Sequence, residues 1–312
     1  MILEVAVSDT TERSIHVFEL IGNMRFDDIK KTLSYIRSER QRNPDSILYN
    51  VSETIFLYMS HNGTEVRDGK HILWIKFGWA RRSGLPETLD VSQGRTEFLQ
   101  LPSGIYLYEP SHFVIFQHGN RIIMLQEFNF FGPRVTRLCV YLTEFFRKLT
   151  GKEKIKLHAR RVFMKDVDKL LREYTVVKSI RIVVEPDSLS KLSQALGESM
   201  TALEVLKKPK PKKIAITLMS GRGDELEMSI DEVLELFHKI EEESSSFKLK
   251  VKKSTLGRTI EIDLKRHSLI FRKRFKYARD EEGNVYRSTD TDYAIRVLLE
   301  TIKDTINAIE EK

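Results

Sequence analysis

EFNFFGPRVTRLCVYL, residues 127–142, contains the clearest change from strand to helix in the chain. An alternating run ends at Gly132-Pro133, and an apolar stripe with helical spacing follows at once. Pro133 suits the first helical position because its missing N–H is not needed there. Arg134 and Arg137 fall in the first two turns, where the positive end of the helix dipole disfavours cations. Their position therefore requires an explanation.

Two explanations for these arginines stay open at this point. Together with the unpaired backbone N–H groups of a helix start, Arg134 and Arg137 would form a pocket suited to a phosphate. Alternatively, Glu127 or another carboxylate pairs with one of them inside the fold. The first explanation predicts a phosphate-binding site, whereas the second predicts a structural ion pair.

The composition of the 312-residue chain is that of a folded protein, with 41% apolar and 31% charged residues. Its 52 basic and 45 acidic side chains give a formal net charge of +7. Residues 1–150 contain 18 basic and 17 acidic side chains, and residues 151–312 contain 34 and 28. The excess lies mainly in the second half and mildly favours a polyanionic partner. The richness in Lys, Glu, Ile and Val is thermophile-like.

Cysteine, histidine and apolar patterns exclude several classes of protein. The single cysteine, Cys139, allows neither an internal disulfide nor a cysteine-based zinc site. The eight histidines are scattered, and the chain contains no phosphate-loop or hydrolase motif, so we expect no metal and no cofactor. We see no signal-peptide pattern and no apolar run long enough for a membrane span. The expectation is a cytoplasmic protein without a membrane partner.

Hydrophobic periodicity predicts an α+β fold in two domains, with a boundary near Thr150–Glu153. Residues 1–150 show several strand-like runs and two helices, which predicts a curled antiparallel sheet or an open barrel closed by a helix. In residues 151–312, strands and helices alternate, and Ser229 and Glu232 have capping-box spacing. This half is predicted to end in a three-strand meander and a C-terminal helix. The predicted meander strands are Phe247–Lys253, Thr259–Lys265 and Leu269–Tyr277.

Cations occupy alternate positions on the first and third strands of the predicted meander. They are Lys248, Lys250, Lys252, Arg272, Arg274 and Lys276. If the strands pair in sequence, these cations share one sheet face, with Glu261 and Asp263 of the middle strand between them. Such a face would contact several phosphates and bind DNA or RNA in a salt-sensitive way. The structural alternative is a solvated face that the two acids neutralise.

Glu261, Asp263 and Lys265 also form an acid-x-Lys pattern of the kind found in metal-dependent nucleases. A nuclease site needs another carboxylate to share the metal, and Asp224 and Asp231 are candidates by position. The same three residues alternate with apolar ones, as on a half-exposed strand, and lysines of the preceding strand are placed to pair with the acids. The pattern favours this structural interpretation over a catalytic one.

Four segments carry a resemblance to a known group of proteins. They are GLPETLD (Gly84–Asp90), YEPSHFVIF (Tyr108–Phe116), EFNFFGPRVTRLCVYL (Glu127–Leu142) and KLHARRVFMKDVDKLL (Lys156–Leu171). Over roughly residues 70–185, the chain resembles a poorly characterised prokaryotic family associated with anti-phage defence neighbourhoods. Ser111-His112 and Gly132-Pro133-Arg134 are its more distinctive motifs. The resemblance implies a defence context and supplies no catalytic residues. The layout is also similar to the N-terminal lobes that accompany short Argonautes as separate chains.

Together these patterns predict a non-catalytic nucleic-acid-binding subunit or sensor of a prokaryotic defence system. The predicted contacts are the six meander cations together with Arg134 and Arg137. We also expect a protein partner encoded nearby. The first alternative is a scaffold that binds a protein partner and no nucleic acid. The second is a metal-dependent nuclease that uses Glu261, Asp263 and Lys265.

Overall fold

The computed structural model describes residues 10–83, 87–90, 95–99, 101–164, 171–196, 211–219, 226–241, 243–253, 259–279 and 285–310. In chain order the strands are β1 (Thr10–Gly22), β2 (Tyr49–Asn50), β3 (Ile55–Arg67), β4 (Lys70–Arg81), β5 (Glu87–Asp90), β6 (Arg95–Phe98), β7 (Leu107–His118), β8 (Arg121–Glu127), β9 (Leu157–Arg161), β10 (Val176–Val184), β11 (Ile214–Met219), β12 (Ser244–Lys252), β13 (Ile260–Asp263), β14 (Ile270–Arg279) and β15 (Val285–Thr289). The helices are α1 (Phe26–Arg42), α2 (Val135–Thr150), α3 (Leu189–Leu196), α4 (Ile230–Ile240), α5 (Leu264–His267) and α6 (Thr291–Glu310).

The chain divides into two compact units, and the first is discontinuous. Unit 1 consists of Met1–Arg160 and Ile270–Asn307, and unit 2 consists of Arg161–Leu269 and Ala308–Lys312. The boundary expected near Thr150–Glu153 falls a few residues before the end of the first segment of unit 1. The sequence patterns give no indication that residues 270–307 return to the first unit.

Unit 1 is built on one large antiparallel sheet with the strand order β15-β14-β1-β8-β7-β4-β3-β2, to which β9 adds by pairing with β1. The path through the described strands does not close on itself, as expected for an open sheet. Alternation places Leu73, Ile75 and Phe77 of β4 in the core, while Lys76 points to the opposite face and is half-buried. The prediction of an α+β fold with a large open antiparallel sheet in the first half is therefore confirmed.

Helices cover both faces of the centre of this sheet. One face packs on α1 and α2 through a core that includes Ile36, Phe113 and Tyr141. On β7, the whole run His112–Phe116 is buried, which requires cover on the second face as well. That second face meets α6, where Lys273 of β14 donates a hydrogen bond to Asp304.

Unit 2 contains a second antiparallel sheet with the order β11-β10-β12-β13. Its apolar face, which includes Ile180 and Leu249, packs with α3 and α4 in a separate core. The helix α4 begins with the predicted capping box: Glu232 N donates to Ser229 Oγ, and Ser229 N donates to the Glu232 carboxylate. Local spacing therefore located the start of this helix correctly.

The predicted three-strand meander is wrong in its last strand. β12 and β13 pair as expected, with Lys250 opposite Glu261. The third strand, β14, pairs instead with β1 and β15 in the sheet of unit 1. The physical reason is the short helix α5, which interrupts the chain after β13. Its first turn is capped by Asp263, whose Oδ1 accepts from Lys265 N.

A fragment of residues 1–150 tests whether residues 270–307 complete the first unit. We expect this fragment to unfold without a cooperative transition, because the sheet would lack β14, β15 and the cover of α6. Thermal unfolding followed by circular dichroism, with the full chain as the control, measures this. A sharp transition in the fragment would show that the first 150 residues are an independent domain.

Candidate functional site

The segment between β8 and α2 is a tightly hydrogen-bonded loop centred on Asn129. The Asn129 side-chain amide donates to Pro110 O at 2.7 Å, and its Oδ1 accepts from Phe131 N at 3.3 Å. Gly132 N donates to Asn129 O at 3.1 Å. These bonds fix the backbone on both sides of Phe130.

Gly132 brings together the two motifs of the resemblance, because it packs directly on Ser111. A Cβ atom at position 132 would collide with Ser111 Oγ and lie 2.9 Å from Pro110 O. Glycine is required here by close approach to a backbone that cannot move aside. Ser111-His112 and Gly132-Pro133 are thus two sides of one contact between β7 and the loop.

The helix α2 begins at Val135, two residues later than predicted, and Arg134 is its N-cap residue in extended conformation. The Arg134 guanidinium turns back onto the loop, donates to Asn129 O at 3.2 Å and lies 4.0 Å from the centre of the Phe128 ring. Arg137 is exposed, with its guanidinium 5.8 Å from the Trp79 ring centre. Aromatic and carbonyl contacts therefore hold these arginines despite the helix dipole. A phosphate pocket at this helix start stays a prediction.

Beside this loop lies a cleft of about 310 Å³. It is lined by Glu12, Arg13, Ser14, Phe128, Asn129, Phe130, Phe131 and Tyr277. Phe130 is 75% exposed and Phe131 38%, and their rings meet edge to face with centres 5.2 Å apart. The lining thus combines several aromatic rings with an arginine, in a concave surface at the lower end of the size range of ligand sites.

Three of the predicted cations lie on β14, beside residues of β1 that line this cleft. Arg272, Arg274 and Lys276 are exposed on alternate positions of β14, opposite Ser14, Glu12 and Thr10 of β1. Glu12, which lines the cleft, is 3.8 Å from the Arg272 guanidinium. The strand pairing therefore places a short row of positive charge along the edge of the cleft.

The other three predicted cations lie in a different sheet. Lys248, Lys250 and Lys252 alternate on β12 of unit 2, as the sequence predicted. Lys248 Nζ donates to Glu261 at 2.9 Å, and Lys250 is exposed opposite the same carboxylate. The expectation that all six cations share one sheet face is therefore wrong, because β12 and β14 belong to separate sheets.

The residues of the nuclease pattern are bonded within unit 2. The hydrogen bond from Lys248 lowers the pKa of the Glu261 carboxyl, and the nearby charges of Lys250 and Arg181 act in the same direction. Asp263 caps α5, and Lys265 lies on that helix rather than on the strand, with its ammonium bonded to Ser244 O.

Two further carboxylates, Asp224 and Asp231, were candidates for the nuclease alternative. Asp231 lies in the first turn of α4, and Asp224 falls outside the described residues. Within the described part of the chain, no group of three His, Cys, Asp or Glu side chains is placed to hold a metal ion.

Behind the cleft, the Glu127 carboxylate is fully buried and bonded on every side. Arg13 Nη1 donates to Oε1 at 2.6 Å, His112 Nδ1 lies 2.6 Å from Oε2, and Thr289 Oγ1 donates to Oε1 at 2.8 Å. Burial alone would raise the pKa of Glu127, but the charges and hydrogen bonds of His112, Arg13 and Thr289 outweigh it and lower that pKa. The network fixes the Arg13 side chain at the wall of the cleft. It also replaces the pairing of Glu127 with Arg134 or Arg137 that the sequence left open.

A row of titratable side chains leads to this carboxylate across the sheet. His61 of β3 faces Lys76 of β4, and Lys76 faces His112 of β7. His61 is exposed, Lys76 half-buried and His112 fully buried. Burial lowers the pKa of Lys76, although the nearby carboxylates, including Asp290 at the start of α6, oppose this. This row of polar side chains runs from the surface at His61 into the core at His112.

Sequence reasoning missed this network and the cleft, because their residues are far apart in the chain. The local signals were the Ser111-His112 motif and Glu127, which begins the segment EFNFF. No periodicity connects Arg13 or Thr289 with Glu127. The strand order of the sheet brings Arg13 and Thr289 to Glu127.

Comparisons with protein-family models and with curated proteins found no match to this chain. Among the described helices, none combines the length and the apolar character that crossing a membrane requires.

Replacement of Glu127 tests the buried network. Glu127→Ala leaves Arg13 and His112 without their shared carboxylate, and we expect the free energy of unfolding to fall by about 3–5 kcal/mol. Glu127→Gln keeps the shape and an acceptor for Thr289, so a smaller loss is expected. Urea denaturation measures both values. Losses below about 1 kcal/mol in both variants would contradict a central role for this carboxylate.

The lowered pKa of Glu127 predicts a loss of stability in acid. The unfolded carboxyl titrates near its ordinary value of 4.5 and the folded one below it. The stabilisation by the ionised carboxylate is therefore complete above that value and disappears as the pH falls through the folded pKa. The difference in unfolding free energy between wild type and Glu127→Gln should be constant near neutral pH and shrink as the pH falls from 4.5 through the folded pKa. A constant difference across this range would contradict the assignment.

Proposed function

We propose that this protein binds nucleic acid through the cleft side of unit 1 and acts by binding rather than by catalysis. The observation that carries the proposal is the row of exposed cations on β14, Arg272, Arg274 and Lys276, along the edge of the aromatic cleft. Arginine side chains give phosphate oxygens charge-assisted and often bidentate hydrogen bonds. The regular spacing of a strand suits the repeating charge of a phosphate backbone.

The cations of β12 form a second, separate region in this proposal. Lys248 is already engaged by Glu261, whereas Lys250 is exposed. On β14, Glu12 likewise lies opposite Arg274 and 3.8 Å from Arg272, so the two regions differ in the aromatic cleft beside β14 rather than in an opposing acid. We therefore assign the main phosphate contacts to unit 1.

The cellular role that we propose is a subunit or sensor of a prokaryotic defence system, acting on DNA or RNA. It rests on the resemblance carried by the Ser111-His112 and Gly132-Pro133-Arg134 motifs. The contact between Ser111 and Gly132 gives those motifs a shared structural purpose, since together they shape the loop beside the cleft.

A scaffold that binds a protein partner is the second candidate function. It is favoured by the exposure of Phe130, because aromatic rings are enriched in the centres of protein interfaces. The nuclease alternative has less support, since Glu261, Asp263 and Lys265 are all bonded within unit 2.

Fluorescence anisotropy with labelled DNA and RNA oligonucleotides over a series of salt concentrations tests the proposal. We expect binding that weakens steeply with salt, because counterions are released when phosphates are contacted. The double variant Arg272→Glu/Arg274→Glu should weaken binding of every sequence and reduce the salt slope by about 1 for each lost contact. Lys250→Glu, a charge reversal on the exposed face of β12, is the matched control and should have a small effect.

Two results would count against this assignment. Binding that is indifferent to salt, or absent from all oligonucleotides, would remove the nucleic-acid proposal and leave the scaffold. A large loss in Lys250→Glu with none in the β14 variant would move the phosphate contacts to unit 2.

A further inference from the structure

We propose that the cleft beside β14 takes an unstacked base of single-stranded nucleic acid, which makes the protein a single-strand binder. The inference rests on the proposed function, to which it adds the class of ligand and the site of its base. It starts from the aromatic lining, which includes Phe128, Phe130 and Tyr277. Phe128 already packs against Arg134, whose guanidinium lies 4.0 Å from its ring centre, and against His16, whose ring centre lies 4.7 Å away. Phe130 is therefore the ring that is exposed for a ligand to stack on.

The exposure of Phe130 is not a by-product of a loose loop. Hydrogen bonds of Asn129 fix the backbone on both sides of it, and Gly132 seats the loop against Ser111 and Pro110. The ordered backbone therefore presents Phe130 to water, with 75% of the residue exposed. Phe130 and Phe131 meet edge to face, so two exposed aromatic rings adjoin one concave site, as in many binding sites. Because the loop is already ordered, little entropy is lost when a ligand stacks on it.

The arginine of the cleft is equally well fixed. Arg13 is bonded to the buried Glu127 carboxylate, so the guanidinium has one orientation at the wall. On the other side of the loop, the Arg134 guanidinium stacks on Phe128. Flat cationic and aromatic groups that are held by the fold form a stacking platform, which every base can use because every base has a π face.

The geometry favours a single strand over a duplex. In a duplex the faces of the bases are covered by their neighbours, and only the backbone would reach β14. An unpaired strand can lay its phosphates along Arg272 and Arg274 while one base enters the cleft across Glu12. Recognition by stacking with phosphate contacts is tolerant of sequence, so we expect affinity for single strands with only modest sequence preference.

The test compares ligands that differ only in their bases or their pairing. Anisotropy is measured with a single-stranded DNA oligonucleotide, its RNA equivalent, the corresponding duplex and an abasic deoxyribose-phosphate strand of the same length. We expect wild type to bind the single strands more tightly than the duplex or the abasic strand. Phe130→Ala should weaken single-strand binding about tenfold, as loss of one stacked base does, and leave duplex and abasic binding unchanged.

Two further variants control for the loss of any exposed apolar side chain and for disturbance of the fold at position 130. Val66→Ala removes an apolar side chain that is 58% exposed on β3 and should change none of the affinities. Phe130→Trp keeps an aromatic face, so it should retain single-strand affinity, and its added fluorescence should be quenched by the bound base. Since Phe130 is exposed, neither of its variants is expected to disturb the core.

The outcomes separate this inference from the proposed function. Equal affinity for single strand, duplex and abasic strand, with no effect of Phe130→Ala, would overturn the base site while salt-dependent binding through β14 stands. Absence of binding to every oligonucleotide would overturn both. A tenfold loss confined to the single strands, together with quenching in Phe130→Trp, is the result that we expect.

Discussion

A buried carboxylate holds the centre of unit 1 together. An ionised group inside a sheet is stable only if hydrogen bonds and opposite charges replace the water that it has lost. For Glu127 these come from Arg13 of β1, His112 of β7 and Thr289 at the end of β15. Those strands therefore have to be in place before the charge is satisfied. The orientation of Arg13, and with it part of the cleft wall, depends on this one group.

Much of the fold follows from local rules that the sequence displays. Alternation identifies the buried face of β4, and the capping pair Ser229 and Glu232 locates the start of α4. The pairing of β12 with β13, including the contact of Lys248 with Glu261, follows from alternating charge on adjacent runs. Each of these features is determined by residues close together in the chain, which is why an α+β fold with an open antiparallel sheet could be predicted.

The pairing of β14 could not be predicted in the same way. Its alternation of cations with Phe271 and Phe275 fits a strand of either sheet, and the short helix α5 separates it from β13. Four residues of helix are too few for periodicity to reveal. Because β14 was assigned to the wrong sheet, the six cations were predicted to share one face, whereas they lie on two separate sheets. Likewise the sequence pointed to Arg134 and the loop before it, but the cleft required strand order that no local pattern encodes.

The return of residues 270–307 to the first sheet has a consequence for how the chain is made. During synthesis, the segment that forms unit 1 emerges first yet cannot close its centre until some hundred intervening residues have followed. Unit 2 has nearly all of its own residues by then and can fold on the ribosome. The strands that emerge first must wait with unpaired edges, a state that invites aggregation and calls for protection by chaperones. The unit whose first residues emerge earliest is thus completed after nearly all of unit 2 has been made.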